Sequence, residues 1–187
     1  MTKLWTKKQQ KAVEFSFAAH EGQKRKGTKI DYISHPMIVG LILARIGADD
    51  NQIIAGILHD IIEDTDFTKE DIEDAFDEDV ADLVEEVSET DRDLPYVERK
   101  ERAAAKLFII SDRAATIKAA DVLSNITDLE ADLERKNDEA FNIFHADKSQ
   151  KIKQISRVVN ILKTRVENED LINSIEETFK KIKAHEN

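Results

Sequence analysis

An all-α fold, a helical bundle folded as one domain, is what this sequence predicts, and three observations predict it. Apolar residues recur at steps of three and four, the period of an amphipathic helix. Only 5 Gly and 2 Pro in 187 residues leave little material for the tight turns that join strands. A hydrophobic fraction of 41% beside 36% charged residues suits helices with one buried face and is too apolar for a disordered chain. The length fits a single domain over residues 1–187 with a real core.

The elements follow in chain order. Residues 6–24 place Val13, Phe17 and His20 at helical spacing. Gly22 and Gly27 then bracket the basic run Lys24-Arg25-Lys26, so the helix gives way to a charged loop. The segment Asp31 to Pro36 enters a second helix, with Ser34 or His35 near the cap and Pro36 in the first turn, running to about Gly47. Residues 51–64 are apolar around nearly the whole cylinder until His59 interrupts them, which predicts a central helix. Thr68 and Asp71 have capping-box spacing, and Phe76 to Glu78 joins two short helices. Pro95 follows the charged stretch Glu89 to Asp93, an Ala-rich helix runs from about Val97 to Leu107, and Ser111 caps a long helix holding Lys118, Asp121 and Asn125. From Lys148 to Lys183, Ile152, Ile155, Val159, Leu162 and Val166 form one stripe, the pattern of a helical face that docks on its own domain.

Charge and chain ends narrow the partners. With 39 Asp+Glu against 28 Lys+Arg the formal charge is −11, which repels a nucleic-acid backbone; an anionic ligand must meet a local basic patch. No Cys is present, so thiolate metal sites and disulfides are excluded. Met1 to Gln10 is polar and basic, with no apolar core of signal-peptide length, and no later run approaches a membrane span. The expected location is cytoplasmic, without membrane association.

The chemistry-bearing residues are polar intrusions into apolar helices: His35, the adjacent pair His59-Asp60, and Asp121. Asp60 in an apolar helix is costly unless a cation faces it, and its own helix carries no Lys or Arg. Two imidazoles and two carboxylates suit Mn²⁺, Fe²⁺, Zn²⁺ or Co²⁺ and leave coordination positions for water and substrate. Adjacent positions on a helix point about 100° apart, so one ion can serve His59 and Asp60 only from beyond the helix edge. Singly, each residue reads as a cap, a satisfied core histidine or half of an ion pair; four together point to a metal-dependent phosphohydrolase. Glu63 follows His59 by four and Asp60 by three, on the same face, where a carboxylate can take a proton from an activated water, and Asp64 adjoins it. Arg25 offers phosphate charge and a plane to stack on a base, against solvated loop charge as the alternative.

Five segments carry a resemblance, in order: Ala19-His-Glu-Gly-Gln-Lys-Arg-Lys26, Tyr32-Ile-Ser-His-Pro36, Leu58-His-Asp-Ile-Ile-Glu-Asp-Thr65, Leu94-Pro-Tyr-Val-Glu-Arg-Lys100 and Ile117-Lys-Ala-Ala-Asp-Val-Leu-Ser-Asn125. Over roughly residues 8–130 the chain resembles the HD-type phosphohydrolases, and within them the hydrolase domain of RelA/SpoT-type alarmone enzymes and its small stand-alone relatives. The resemblance implies an HD-type helical bundle and His35, His59, Asp60 and Asp121 as ligands, usually to Mn²⁺. It further implies that Glu63 and Asp64 activate water, that Arg25 and Lys26 contact the guanine nucleotide, and that Tyr32 and Asn125 lie near its ribose and phosphates. The implied substrate is (p)ppGpp, cleaved to GDP or GTP plus pyrophosphate, and for some stand-alone members the 2′-phosphate of NADPH. Such a chain degrades its nucleotide, and the oligomeric state is left open, a homodimer included. Two departures stand beside the matches: Val122 where the family usually has a basic residue, and Ser124 where it has an aromatic or His. They keep two alternatives in view, another phosphoester as substrate and a catalytically silent nucleotide-binding module.

Overall fold

The computed structural model describes residues 5–89, 94–144 and 146–186, with no strand among them. Thr90 to Asp93, the end of the charged stretch before Pro95, and His145 lie outside the described residues. The chain divides into two compact units, Met1–Thr90 and Asp91–Asn187.

The first unit runs through α1 Lys7–Ala19, α2 Ser34–Arg45, α3 Asp50–Leu58, α4 Ile61–Asp64, α5 Lys69–Ala75 and α6 Glu78–Val87. Four of them, α1, α3, α5 and α6, begin where a side chain satisfies a free N–H group of the first turn, whereas α2 and α4 start without a side-chain cap. Thr6 with Gln9, Asp49 with Gln52 and Thr68 with Asp71 form complete capping boxes, and Asp77 accepts from Val80 N–H to start α6. The first helix is shorter than its apolar spacing suggests, ending at His20, after which Gly22 takes a positive φ of 76° that a β-carbon would strain. Its buried face is Gln9, Ala12, Ser16 and His20, whereas Phe17 is half exposed. Small and polar residues line this face because α1 packs on α3, while Phe15 reaches aside to Phe67 and Phe76 at ring distances of 4.8 and 5.8 Å.

The central helix expected over 51–64 is broken. α3 ends at Leu58, His59 and Asp60 form a turn, and α4 resumes at Ile61. α3 is buried from Ile54 through Leu58, as an all-round apolar helix must be. Its contact with α2 is close: a β-carbon on Gly56 would stand 2.2 Å from Leu43 Cδ1, and one on Gly40 2.6 Å from Ile57 Cγ1.

The second unit holds α7 Tyr96–Lys106, α8 Asp112–Lys136, a 3₁₀ segment Asn137–Ile143, α9 Lys148–Arg165, α10 Glu169–Lys183 and a last 3₁₀ turn Ala184–Glu186. Ser111 caps α8 through Ala114 N–H as its position predicts. The apolar tail is two helices, because the chain extends at Val166 and Asn168 caps a new start through Leu171 N–H. All of the stripe but Val166, which is buried just past the helix, lies within α9, with Ile152, Val159 and Leu162 buried and Ile155 half-buried, while α10 buries Leu171, Ile175, Phe179 and Ile182 and packs on α8. Arg165 ties the turn before α8, donating 2.6 Å bonds to the carbonyls of Leu107 and Ile110. No helix among the described residues is long and apolar enough to cross a membrane.

Candidate metal centre

In the first unit the α2–α3 contact places two imidazoles together. His35 is the second residue of α2, its N–H bonded to Tyr32 C=O at 3.0 Å, and His59 follows directly on α3. Both are 2% exposed, with rings 5.0 Å apart at 71°. The two glycines make this possible, since any side chain at Gly40 or Gly56 would wedge α2 from α3.

Hydrogen bonding fixes what His59 can offer. Its Nδ1 lies 2.8 Å from Gly56 C=O, and a carbonyl only accepts, so Nδ1 carries the proton and Nε2 keeps its lone pair. That Nε2 stands 3.0 Å from Asp60 Oδ2, and His35 Nε2 stands 3.6 Å from the same oxygen. Donors about 2.1 Å from one ion sit about 3.0 Å apart when cis in an octahedron, so these spacings fit donors sharing a divalent cation. On a continuous helix His59 and Asp60 would diverge; the turn between α3 and α4, with Asp60 at φ −95° and ψ −2°, lets Oδ2 approach the imidazole. Tyr32 also holds Asp60, its hydroxyl donating to the same Oδ2 at 2.5 Å.

The other predicted residues fall as follows. Glu63 is half-buried and its Oε2 accepts Glu89 N–H at 3.2 Å, while Asp64 is exposed and its carbonyl accepts Gln23 Nε2 at 3.0 Å. The guanidinium of Arg25 lies 5.7 Å from the Tyr32 ring centre, and Lys26 is exposed. The loop that carries them is pinned by an antiparallel bridge between Lys24 and Asp31, whose side chains also pair. In the second unit Asp121 is buried at 6% exposure on α8, with Lys118 Nζ 2.9 Å from Oδ2 and Asn125 Nδ2 donating to Oδ1 at 2.5 Å. Ser124 is buried beside it and Val122 half-buried. Sequence reasoning passed over the Tyr32 hydroxyl as a brace for Asp60, and gave His20 and Gln23 no part. Only the folded loop joins them to the pair, although the His20-x-x-Gln23 spacing marks a tight turn.

The HD domain family matches residues 12–148, nearly three quarters of the chain and all ten predicted site residues. This chain belongs to the HD domain family. Among curated relatives of this HD domain protein, the guanosine-3′,5′-bis(diphosphate) 3′-pyrophosphohydrolase MESH1 of Xenopus tropicalis is 40% identical over 121 residues, 63% of this chain and 67% of the relative. The guanosine-3′,5′-bis(diphosphate) 3′-pyrophosphohydrolase of Aquifex aeolicus is 41% identical over 123 residues, 64% of this chain but 17% of the relative. The bifunctional (p)ppGpp synthase/hydrolase SpoT of Escherichia coli K12 is 40% identical over 117 residues, and the match spans 16% of its length. The HD domain chain thus spans about a sixth of these two long relatives and two thirds of the short one. A solved structure described as a metazoan ortholog of SpoT that hydrolyzes ppGpp superposes with a TM-score of 0.80 at 29% identity, covering 97% of this chain and 98% of that one. A protein from Listeria monocytogenes EGD-e superposes with a TM-score of 0.70 at 27% identity, over 80% and 97% of the two chains.

Proposed function

We propose that this chain is a metal-dependent phosphohydrolase that removes pyrophosphate from the 3′ position of guanosine-3′,5′-bis(diphosphate) and its pentaphosphate analogue. The observation that carries it is the convergence of His59 Nε2 and His35 Nε2 on Asp60 Oδ2, two buried imidazoles and a half-buried carboxylate suited to a divalent ion. The names of the relatives supply the substrate. In this reading residues 1–187 act as one HD-type domain, with His35, His59, Asp60 and Asp121 as ligands to Mn²⁺. Asp121 is buried and already carries the orienting partner, Asn125, that a ligating carboxylate needs.

A divalent ion held there supplies Lewis acidity toward a phosphoryl oxygen and lowers the pKa of bound water. Glu63 and Asp64 orient the attacking water and accept its proton. Water adds to the phosphorus attached to the ribose 3′-oxygen, the bond to that oxygen breaks, and the oxygen leaves as the nucleotide hydroxyl, giving GDP or GTP and pyrophosphate. Arg25 and Lys26 neutralise nucleotide charge against the −11 of the whole chain, Arg25 also presenting its plane to the base. Tyr32, by bracing Asp60 while its ring faces Arg25, couples the nucleotide side to the ligand side. Asn125 approaches the nucleotide from Asp121.

Purified protein with Mn²⁺ is expected to release pyrophosphate from ppGpp, with His59→Ala and Asp121→Ala losing turnover. NADPH belongs in the same panel because Val122 and Ser124 depart from the family pattern beside Asp121. Phosphate release from NADPH with no product from ppGpp would move the substrate and keep the centre; binding without turnover on either would leave a nucleotide-binding module.

A further inference from the structure

We propose that His20 is a positioning residue for the acidic residues at both ends of α4, acting through Tyr32 on Asp60 and through Gln23 on Asp64; the proposal rests on the metal-dependent reading above. His20 closes α1 and is 3% exposed. One face of its ring meets the Tyr32 ring at 5.0 Å and 46°, and the Tyr32 hydroxyl holds Asp60, the residue that precedes α4. Its Nδ1 lies 2.9 Å from Gln23 Oε1, while Gln23 Nε2 donates to the carbonyl of Asp64, the last residue of α4. Backbone bonds lock the three together: Gln23 N–H donates to His20 C=O at 3.1 Å, and Tyr32 N–H donates to Gln23 C=O at 3.0 Å.

The chain of donors has one consistent orientation. The Asp64 carbonyl only accepts, so the Gln23 amide nitrogen faces it and the amide oxygen faces His20. That oxygen only accepts, so Nδ1 carries the His20 proton. Nε2 is left as a buried lone pair with no hydrogen-bond partner among the described residues. A ring needed only to pack on Tyr32 would be better as Phe, which orphans no polar atom. What His20 adds is the Nδ1–H that holds Gln23, and through it the backbone of Asp64, at a fixed place relative to Asp60. A carboxylate that must meet a water within hydrogen-bond reach gains from such placement.

The test uses three substitutions in the full chain. His20→Phe keeps the ring against Tyr32 and removes the donor; Gln23→Met, at a half-buried position, keeps volume and breaks both bonds. Each is expected to melt near the wild type and to lower kcat on ppGpp about 10-fold while KM and the Mn²⁺ dissociation constant stay within about twofold. His20→Asn, whose amide nitrogen can stand in for Nδ1–H, is expected to recover most of the loss. Long-range proton–nitrogen correlation on imidazole-labelled protein should show His20 protonated at Nδ1 only, and a mixture of tautomers in Gln23→Met. An Nε2-protonated His20, full kcat in His20→Phe, or His20→Asn no better than His20→Phe would overturn the proposal. If the wild type never turns over ppGpp, the substrate reading fails, and the tautomer measurement still decides the role of His20.

Discussion

At the scale of single residues, the site is governed by which atom of each side chain is left available. Gly56 C=O accepts the His59 Nδ1–H and Tyr32 donates to Asp60, so the His59 Nε2 lone pair and the carboxylate of Asp60 face one another, with His35 Nε2 beside them. Tyr32→Phe preserves the ring, its neighbour Arg25 and the packing on His20, and removes only the donor to Asp60. Titration calorimetry should show Mn²⁺ binding weakened about 10- to 100-fold, with the far-ultraviolet spectrum unchanged; wild-type affinity would mean that the hydroxyl does not orient the ligand. The types of the candidate residues were readable in the sequence because buried polar groups are rare and need partners. Their partners were not: nothing in the spacing of Tyr32 and Asp60, 28 positions apart, announces a bond.

Helices set the distances. α2 and α3 meet through Gly40 and Gly56, and the buried Leu43 side chain has nowhere to move if Gly56 gains a methyl group. Gly56→Ala is expected to cost about 1–3 kcal/mol in urea unfolding and to weaken metal binding as His59 is displaced; unchanged stability would show that α2 and α3 part more easily than this packing implies. Caps add a pH dependence. Lys8 hydrogen-bonds Asp77, the cap of α6, and holds its carboxyl below the usual carboxylate range. A carboxyl with a depressed pKa stabilises the fold above its unfolded value of about 3.8 and loses that contribution as pH falls through the lower folded value. Lys8→Met should therefore narrow the difference in melting temperature between pH 6 and pH 3; an unaltered difference would remove Lys8 as the cause. Caps and apolar periods are local signals, which is why Ser111, Thr68 and the starts of most helices were legible. The break at His59–Asp60 was not, because both residues fit a helix and only the demands of their partners turn the chain there.

On the scale of the whole molecule, the ligand set proposed above draws on residues far apart in the chain, from His35 to Asp121. Mn²⁺ at about 100 times its dissociation constant should stabilise the folded state by about 2.7 kcal/mol, roughly 5–10 °C in melting temperature for a chain of this size. Chelation should remove the increment, and Asp121→Ala should show much less of it; an increment of wild-type size in Asp121→Ala would take Asp121 out of the ligand set. By itself the sequence determined the helical class, most helix starts and the residue types of the candidate centre, because these depend on neighbours within one or two turns. Tertiary structure alone decided that His35 and His59 share Asp60, that Tyr32 braces it, and that His20 and Gln23 join the two ends of α4. Those relations require segments distant in sequence to pack against one another, and a local pattern carries no record of which lone pair will face which proton.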